Sequence, residues 1–359
     1  MKTILLLVLL GVIMTSIQVP AADSPWLYGI HWFGPPSNNS DVAEMTGGKP
    51  IWVLETLMTN EGASGWGPEA RLDNFRNVVD QGHTLIIRVQ PVWGKAFPLP
   101  EETNPSMETF LDQVGRTAEL YKDVCHIWQL GNEMNLDFEW GDKHLAPEDY
   151  IDAAALFSDR IRDVTSSLGD QRVLVGPVSP GDATGPRWMS STEYLSRMCD
   201  AINKKGYRRK FQGFAIHSYA AAHTTELDVC LYGFDDHPEN GFRHQLYIID
   251  AKGFEEYPVY MTEWNRYSKE SAAPEEAASA QFLHRALAAL DSWNRSGGHP
   301  VACACWFVYS DSSGWGEYTL KGLKSEGNEN EDVWHAFEYA AGQDYLAGFP
   351  KKQTEKASD

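Results

Sequence analysis

Eight short apolar runs recur along the chain, and each ends in polar or aromatic residues that a core has no use for. They are YGIHW from Tyr28, IWVLET from Ile51, TLIIRVQP from Thr84, HIWQLGNE from His126, VLVGPVSP from Val173, FAIHSY from Phe214, VYMTEW from Val259 and ACACWFVYS from Ala302. Short runs rich in β-branched residues predict strands, and their alternation with helices points to a parallel sheet covered on one side. The segments between them carry helical periodicity with start and stop signals. Asn104 and Pro105 precede METFLDQVGRTAELYKD, which predicts a helix with Pro105 at its first position, where the missing N–H costs nothing. Pro147 opens a second helix that Gly169 caps, and Pro274 opens a third with Glu275 and Glu276 facing its positive end. A last helix is expected from Glu331 to Ala341.

From the third run onward the strand starts fall roughly 40 to 47 residues apart, about what one strand, one active loop and one helix require. Eight such units predict an α/β fold, a single (β/α)8 TIM barrel over residues 23–350. An open doubly wound sheet is the alternative. Its nucleotide-binding form is disfavoured because no G-x-G-x-x-G follows the first strand. The pattern shows no repeat, linker or second domain, and the tail from Lys351 to Asp359 reads as disordered.

The N-terminus changes the picture. Lys2, an apolar run from Ile4 to Met14 and small residues up to Ala21 and Ala22 have the layout of a secretory signal peptide over residues 1–22. The run is too short for a membrane span, which needs about 20 apolar residues. A secreted, soluble, monomeric protein is expected, extracellular or periplasmic. The formal net charge of −20 argues against nucleic acid and anionic membranes as partners, since both reward Lys and Arg. Five cysteines, Cys125, Cys199, Cys230, Cys303 and Cys305, cannot all pair within one chain. Cys303 and Cys305 share a face if their run is a strand, and without further soft ligands nearby they read as small buried hydrophobes. A Cys199–Cys230 disulfide stays open.

In a barrel enzyme the reactive groups come from the C-terminal ends of the strands. The fourth run ends in Gly131-Asn132-Glu133 and the seventh in Thr262-Glu263-Trp264, so two carboxylates are expected at one rim. Cleavage of a glycosidic bond needs such a pair, one acid to protonate the leaving oxygen and one carboxylate on the other face of the sugar. Asn132 can offer its amide to a sugar hydroxyl, and His31 at the end of the first strand can bind another or simply satisfy its neighbours. Trp32, Trp66, Trp93, Trp140, Trp188 and Trp315 fall in the presumed loops, where some are expected to stack on sugar rings and the rest to pack loops onto the barrel. His217 and His223 lack a His-Glu-x-x-His helix or a third ligand, so no metal is expected, nor any other cofactor. No G-x-S-x-G elbow supports a serine nucleophile.

HIWQLGNEMN and VYMTEWNRY resemble the acid/base and nucleophile strands of glycoside hydrolase clan A, the retaining barrel enzymes that include cellulases, mannanases, xylosidases and arabinofuranosidases. The resemblance implies Glu133 as acid/base, Glu263 as nucleophile and Asn132 as a substrate-binding neighbour. It extends to His217 and Tyr219 in HSY on the sixth strand, to Trp306 on the eighth as the floor of the cleaved-sugar subsite, and to Trp264 beside the nucleophile. GNEM with EWN is similar to the arabinofuranosidases of family 51, but those carry a β-sandwich domain that this chain is not expected to accommodate. Clan members often place a nucleophile-supporting Arg at the end of strand two. Here strand two carries Glu55-Thr56 and the arginine, Arg88, lies on strand three. The resemblance implies retaining cleavage of a neutral poly- or oligosaccharide, with the spread of tryptophans favouring internal cutting of a β-glycan. The alternatives are an inactive carbohydrate-binding barrel, a transglycosylase, or an exo-acting arabinofuranosidase- or xylosidase-like enzyme.

Overall fold

In the computed structural model, eight parallel strands close into a barrel in chain order, with β1 beside β8. The structure describes residues 23–31, 40–95, 97–99, 106–137, 139–141, 143–165, 171–181, 183, 187–220, 242–266, 276–309, 320 and 331–350. The strands are β1 (Tyr28–His31), β2 (Trp52–Met58), β3 (Thr84–Gln90), β4 (Ile127–Leu130), β5 (Arg172–Val175), β6 (Gly213–Ala220), β7 (Val259–Arg266) and β8 (Val301–Phe307). Each of the eight apolar runs has become one of them. Among the described residues the helices are α1 (Ser40–Thr46), α2 (Pro68–Asp80), α3 (Met107–Tyr121), α4 (Pro147–Thr165), α5 (Ser191–Lys205), α6 (Phe242–Ala251), α7 (Glu276–Arg295) and α8 (Glu331–Gly342). No helix among them is long and apolar enough to cross a membrane.

One local expectation changes. Helix α3 begins at Met107 rather than Pro105, because the Ser106 hydroxyl accepts the Thr109 N–H at 3.1 Å and makes Ser106 the N-cap. Cys199 on α5 carries a free, buried thiol, while Cys230 lies outside the described residues. Pro105, Gly169, Pro274, the leader at 1–22 and the tail from Lys351 also lie outside them.

The barrel lumen is filled at its lower level by Trp52, Leu54, Ile86, Ile127, Leu174, Ala215, Tyr260, Cys303 and Cys305, all buried. Cys303 and Cys305 therefore do share a face, as small packing residues. The alternate positions, among them Val53, Ile87, Trp128, Val173, Phe214, Met261 and Trp306, face the surrounding helices. Strict alternation breaks once where it matters. On β7, Met261 pairs with Ile216 but Glu263 pairs with the next residue, His217, leaving Thr262 as an extra residue in a bulge. A bulge of one residue reverses the facing of everything after it. Tyr260 and Glu263 consequently both point into the barrel although they are three positions apart.

An ion cluster seals the floor. Asp23 Oδ1 accepts from His126 Nε2 at 2.9 Å and Arg172 Nη2 at 2.6 Å, and Arg172 Nη1 also donates to the Tyr260 hydroxyl at 2.9 Å. Burial alone would raise the Asp23 carboxyl, but hydrogen bonds from His126 and Arg172 and the Arg172 charge hold it at about 2. A depressed carboxyl adds stability above its unfolded-chain value near 4 and loses it as pH falls through about 2. Asp23→Asn is therefore expected to cost about 2 kcal/mol at pH 7, with the gap closing toward pH 2, as read by urea denaturation at both pH values.

Candidate active site

The sequence folds so that its polar strand ends converge above the apolar lumen. Strand β4 stops at Leu130, and the chain then turns sharply through Gly131 at φ 73° and Glu133 at φ 35°. A side chain at Gly131 would place its Cβ 2.9 Å from the Trp140 ring, so only glycine lets the turn close over that indole. A left-handed glutamate costs about 1 kcal/mol or more and persists only where surrounding bonds enforce it. Here the Glu133 carbonyl accepts from Leu136 N at 2.9 Å and from Trp140 Nε1 at 3.2 Å. The turn lifts the Glu133 carboxyl into the barrel mouth.

Glu263 is held from several sides. Arg88 Nη1 donates to its Oε1 at 2.7 Å, the Tyr219 hydroxyl donates to its Oε2 at 2.5 Å, and His31 Nδ1 lies 3.2 Å from Oε1. The same Arg88 Nη1 donates to Asn132 Oδ1 at 2.6 Å, and Arg88 Nε donates to Thr56 Oγ1 at 2.9 Å. His217 Nδ1 stands between the two carboxylates, 2.8 Å from Glu133 Oε1 and 3.5 Å from Glu263 Oε2. Gln245 on α6 fixes the His217 backbone through a 2.9 Å bond to its carbonyl. Oxygens of Glu133 and Glu263 come within 4.8 Å of each other.

The electrostatics separate the roles. Burial pushes Glu263 toward the neutral acid, but His217, His31 and Arg88 outweigh it and hold the carboxyl well below the usual range. It is an anion at neutral pH. Burial pushes His31 down to about 4, so its ring is neutral there and Arg88 supplies the permanent charge. Burial, then Glu263, raises the Tyr219 hydroxyl well above its ordinary value, which keeps it a donor. Glu133, His217 and Glu263 together could offer three ligand atoms to a metal. Arg88 already occupies Glu263 Oε1, and a dication sharing that carboxylate would meet the guanidinium's charge, so this donor set is better read as an acid pair than a metal centre.

Seven of the nine residues singled out from the sequence meet here: Glu133, Glu263, Asn132, His217, Tyr219, Arg88 and His31. Arg88 does lie on β3, and its neighbour across the sheet is Thr56 of β2, to which it bonds. Trp264 and Trp306 do not join the site. The bulge at Thr262 turns Trp264 outward, where its ring meets Phe282 of α7 at 5.7 Å and Trp306 at 4.9 Å. Both indoles are buried between sheet and helix and cannot touch a ligand in the mouth. The aromatic floor is instead Phe307, one residue further along, with its ring 5.2 Å from His31 and 6.1 Å from Tyr219. The spacing of Cys303 and Cys305 signals this, since the next residue on their face is Phe307.

Of the loop tryptophans, Trp66 packs against the Phe307–Val308 pair, as Tyr219 does, and meets Trp93 edge-on at 6.5 Å. Trp140 is buried behind Gly131, and Trp188 stacks on His144. Trp32, Trp315 and His223 lie outside the described residues. Sequence reasoning also passed over Glu139, a third carboxyl beside Asn132 and Glu133.

No family model and no curated protein matches the sequence. Solved structures resemble its fold. A glucosidase from Croceicoccus marinus superposes with a TM-score of 0.59 at 12% identity, over 90% of this chain and 68% of that one. A family 51 α-L-arabinofuranosidase from Bifidobacterium longum gives 0.58 at 14% identity, over 92% and 75%. A family 5 xyloglucanase from Paenibacillus pabuli gives 0.54 at 13% identity, over 89% and 99%. The fold is the (β/α)8 barrel of these glycosidases. At such identities the likeness carries architecture, and the chemistry has to be argued from the site.

Proposed function

We propose that this protein is a retaining O-glycoside hydrolase of the clan A type, acting on a neutral poly- or oligosaccharide. One observation supports the reading: a carboxylate oxygen of Glu133 and one of Glu263 lie within 4.8 Å of each other, in keeping with the roughly 5–5.5 Å spacing of a double-displacement pair rather than the roughly 6.5–9.5 Å of an inverting one. The Glu263 carboxylate attacks the anomeric carbon while Glu133 protonates the departing oxygen, giving an alcohol and a glycosyl ester on Glu263. Glu133, now an anion, takes a proton from water as that water displaces the ester oxygen. The two inversions sum to retention. Asn132, held by Arg88, is placed to bind a hydroxyl beside the reacting carbon.

The leader-like residues 1–22 favour secretion of a monomeric enzyme with its catalytic unit at residues 23–350. The aromatic side of the mouth, formed by Phe307, Trp66 and Trp93, favours a cleft that takes several sugar units of a β-glycan. The test is hydrolysis of a panel of β-glucans, mannans, xylans and aryl glycosides, with Glu133→Gln and Glu263→Gln as controls. Release of sugar that both substitutions abolish supports the reading, and release that survives both overturns it. Trp93 is 39% exposed, so Trp93→Ala is expected to leave stability within about 0.5 kcal/mol. Loss of one stacking ring should raise KM for an oligosaccharide by roughly tenfold with little change for an aryl monosaccharide, in steady-state kinetics on both substrates.

A further inference from the structure

Strand β3 places a second polar residue on its inward face, one step nearer the mouth than Arg88. Its facing follows from its neighbours. Leu85, Ile87 and Val89 pack outward against the helices, Ile86 lies in the lumen and Arg88 reaches Glu263 across the barrel, so Gln90 also faces in. It is 2% exposed, and its carboxamide oxygen has no hydrogen-bond partner among the described residues. The residues beside it explain why. Met58 pairs with it on β2, and on the β4 side Gly131 donates its N–H to Val89 O at 2.9 Å; neither has a side chain that donates a hydrogen bond. Thr59 N donates to the Gln90 carbonyl at 2.9 Å and fixes the backbone that carries the amide. Gln129 of β4, level with Arg88, differs: its Nε2 donates to Gly131 O at 2.9 Å and serves the turn before Glu133. Trp66, whose carbonyl accepts from Met58 N at 2.9 Å, and Trp93, just beyond Gln90 in the chain, form the aromatic side of the mouth. The Gln90 amide therefore lies between that side and Arg88. A buried amide oxygen left unpaired destabilises the fold, so a ligand that pairs it is favoured.

We propose, on the glycosidase reading above, that Gln90 is a substrate-binding residue that sets specificity: its carboxamide oxygen accepts from one ring hydroxyl of the sugar whose bond is broken, next to the hydroxyl that Asn132 reaches. Arg88 links the two amides, since it holds Asn132 at 2.6 Å and precedes Gln90 on the same face of β3. Gln90 thus selects sugars in which that hydroxyl is free. A sugar deoxygenated, methylated or acylated there leaves the amide unpaired, and a site built to bond a hydroxyl discriminates strongly against a substrate that lacks it.

Gln90→Leu removes the amide and keeps an apolar side chain in its place. On the aryl glycoside cleaved fastest in the panel, kcat/KM is expected to fall roughly 10- to 100-fold. The melting temperature should not fall, because the lost oxygen had no partner in the protein. Monodeoxy analogues of that glycoside, one for each ring hydroxyl, decide the matter. For one analogue, wild type and Gln90→Leu should agree within about twofold. A loss of equal size on every analogue is what a merely structural role would give, and it overturns the proposal, as does an unchanged kcat/KM. Calorimetry needs no turnover, and Gln90→Met serves there as a second variant should Gln90→Leu fail to fold. In a Glu133→Gln background either variant is expected to weaken binding of a tetrasaccharide of β-glucan, mannan or xylan by roughly tenfold. Binding that is unchanged, or absent before Gln90 is replaced, also overturns the proposal. Failure of the parent reading looks different: tetrasaccharide binding depends on Gln90 while no glycoside is cleaved, or cleavage survives Glu133→Gln and Glu263→Gln.

Discussion

Glu263→Ala is expected to lower kcat on a glycoside by on the order of 10⁴-fold or more, equivalent to about 5 kcal/mol of lost transition-state stabilisation. The size follows from the nucleophile's role proposed for Glu263. Without its oxygen there is no ester intermediate, and water would have to attack an unactivated centre. The bonds around Glu263 also say what the variant keeps. Arg88 retains Asn132 and Thr56, and Tyr219 and His31 line a vacated space of carboxylate size. A small anion such as azide or formate should enter that space, meet Arg88, and attack the sugar in place of Glu263. Partial rescue by azide, giving a glycosyl azide of inverted configuration seen by proton NMR, is the expected signature. An unrescued variant with more than a tenth of wild-type kcat would remove Glu263 from the nucleophile's role.

The barrel was legible because eight apolar runs and the helices between them keep one rhythm, and that rhythm is what a parallel sheet wrapped in helices imposes. The two glutamates were legible because strand ends are where such a fold exposes chemistry. What the pattern could not carry was facing. Trp264 and Trp306 sit next to functional residues in sequence, and alternation counted from Tyr260 would even place Trp264 inside the barrel. The bulge at Thr262 reverses that, sends Glu263 inward and buries Trp264 against α7. A bulge is a single extra residue with no compositional mark of its own, so no inspection of VYMTEW reveals it. Phe307 was recoverable from Cys303 and Cys305, which fix the inward face of β8.

Arg88 joins these threads, and its replacement should separate charge from geometry. It is 1% exposed and makes three hydrogen bonds, to Glu263, to Asn132 and to Thr56. Arg88→Met leaves Glu263 buried without its permanent counter-charge, and breaking such a pair by removing one partner costs about 3–5 kcal/mol of stability. Burial then acts on Glu263 with weaker opposition, so a higher pH is needed to make it the attacking anion. The sign is fixed: the acid limb of kcat/KM moves up in pH, and kcat at neutrality falls on the order of 100-fold. Arg88→Lys retains the charge but not the planar fork, and a point charge cannot hold Glu263, Asn132 and Thr56 together. In that variant the acid limb should stay near its wild-type position while kcat falls, because Asn132 is no longer aimed at the substrate. Thermal melts and pH–rate profiles of the two variants decide the matter. An acid limb unmoved in Arg88→Met would mean that His217, His31 and Tyr219 suffice to keep Glu263 ionised.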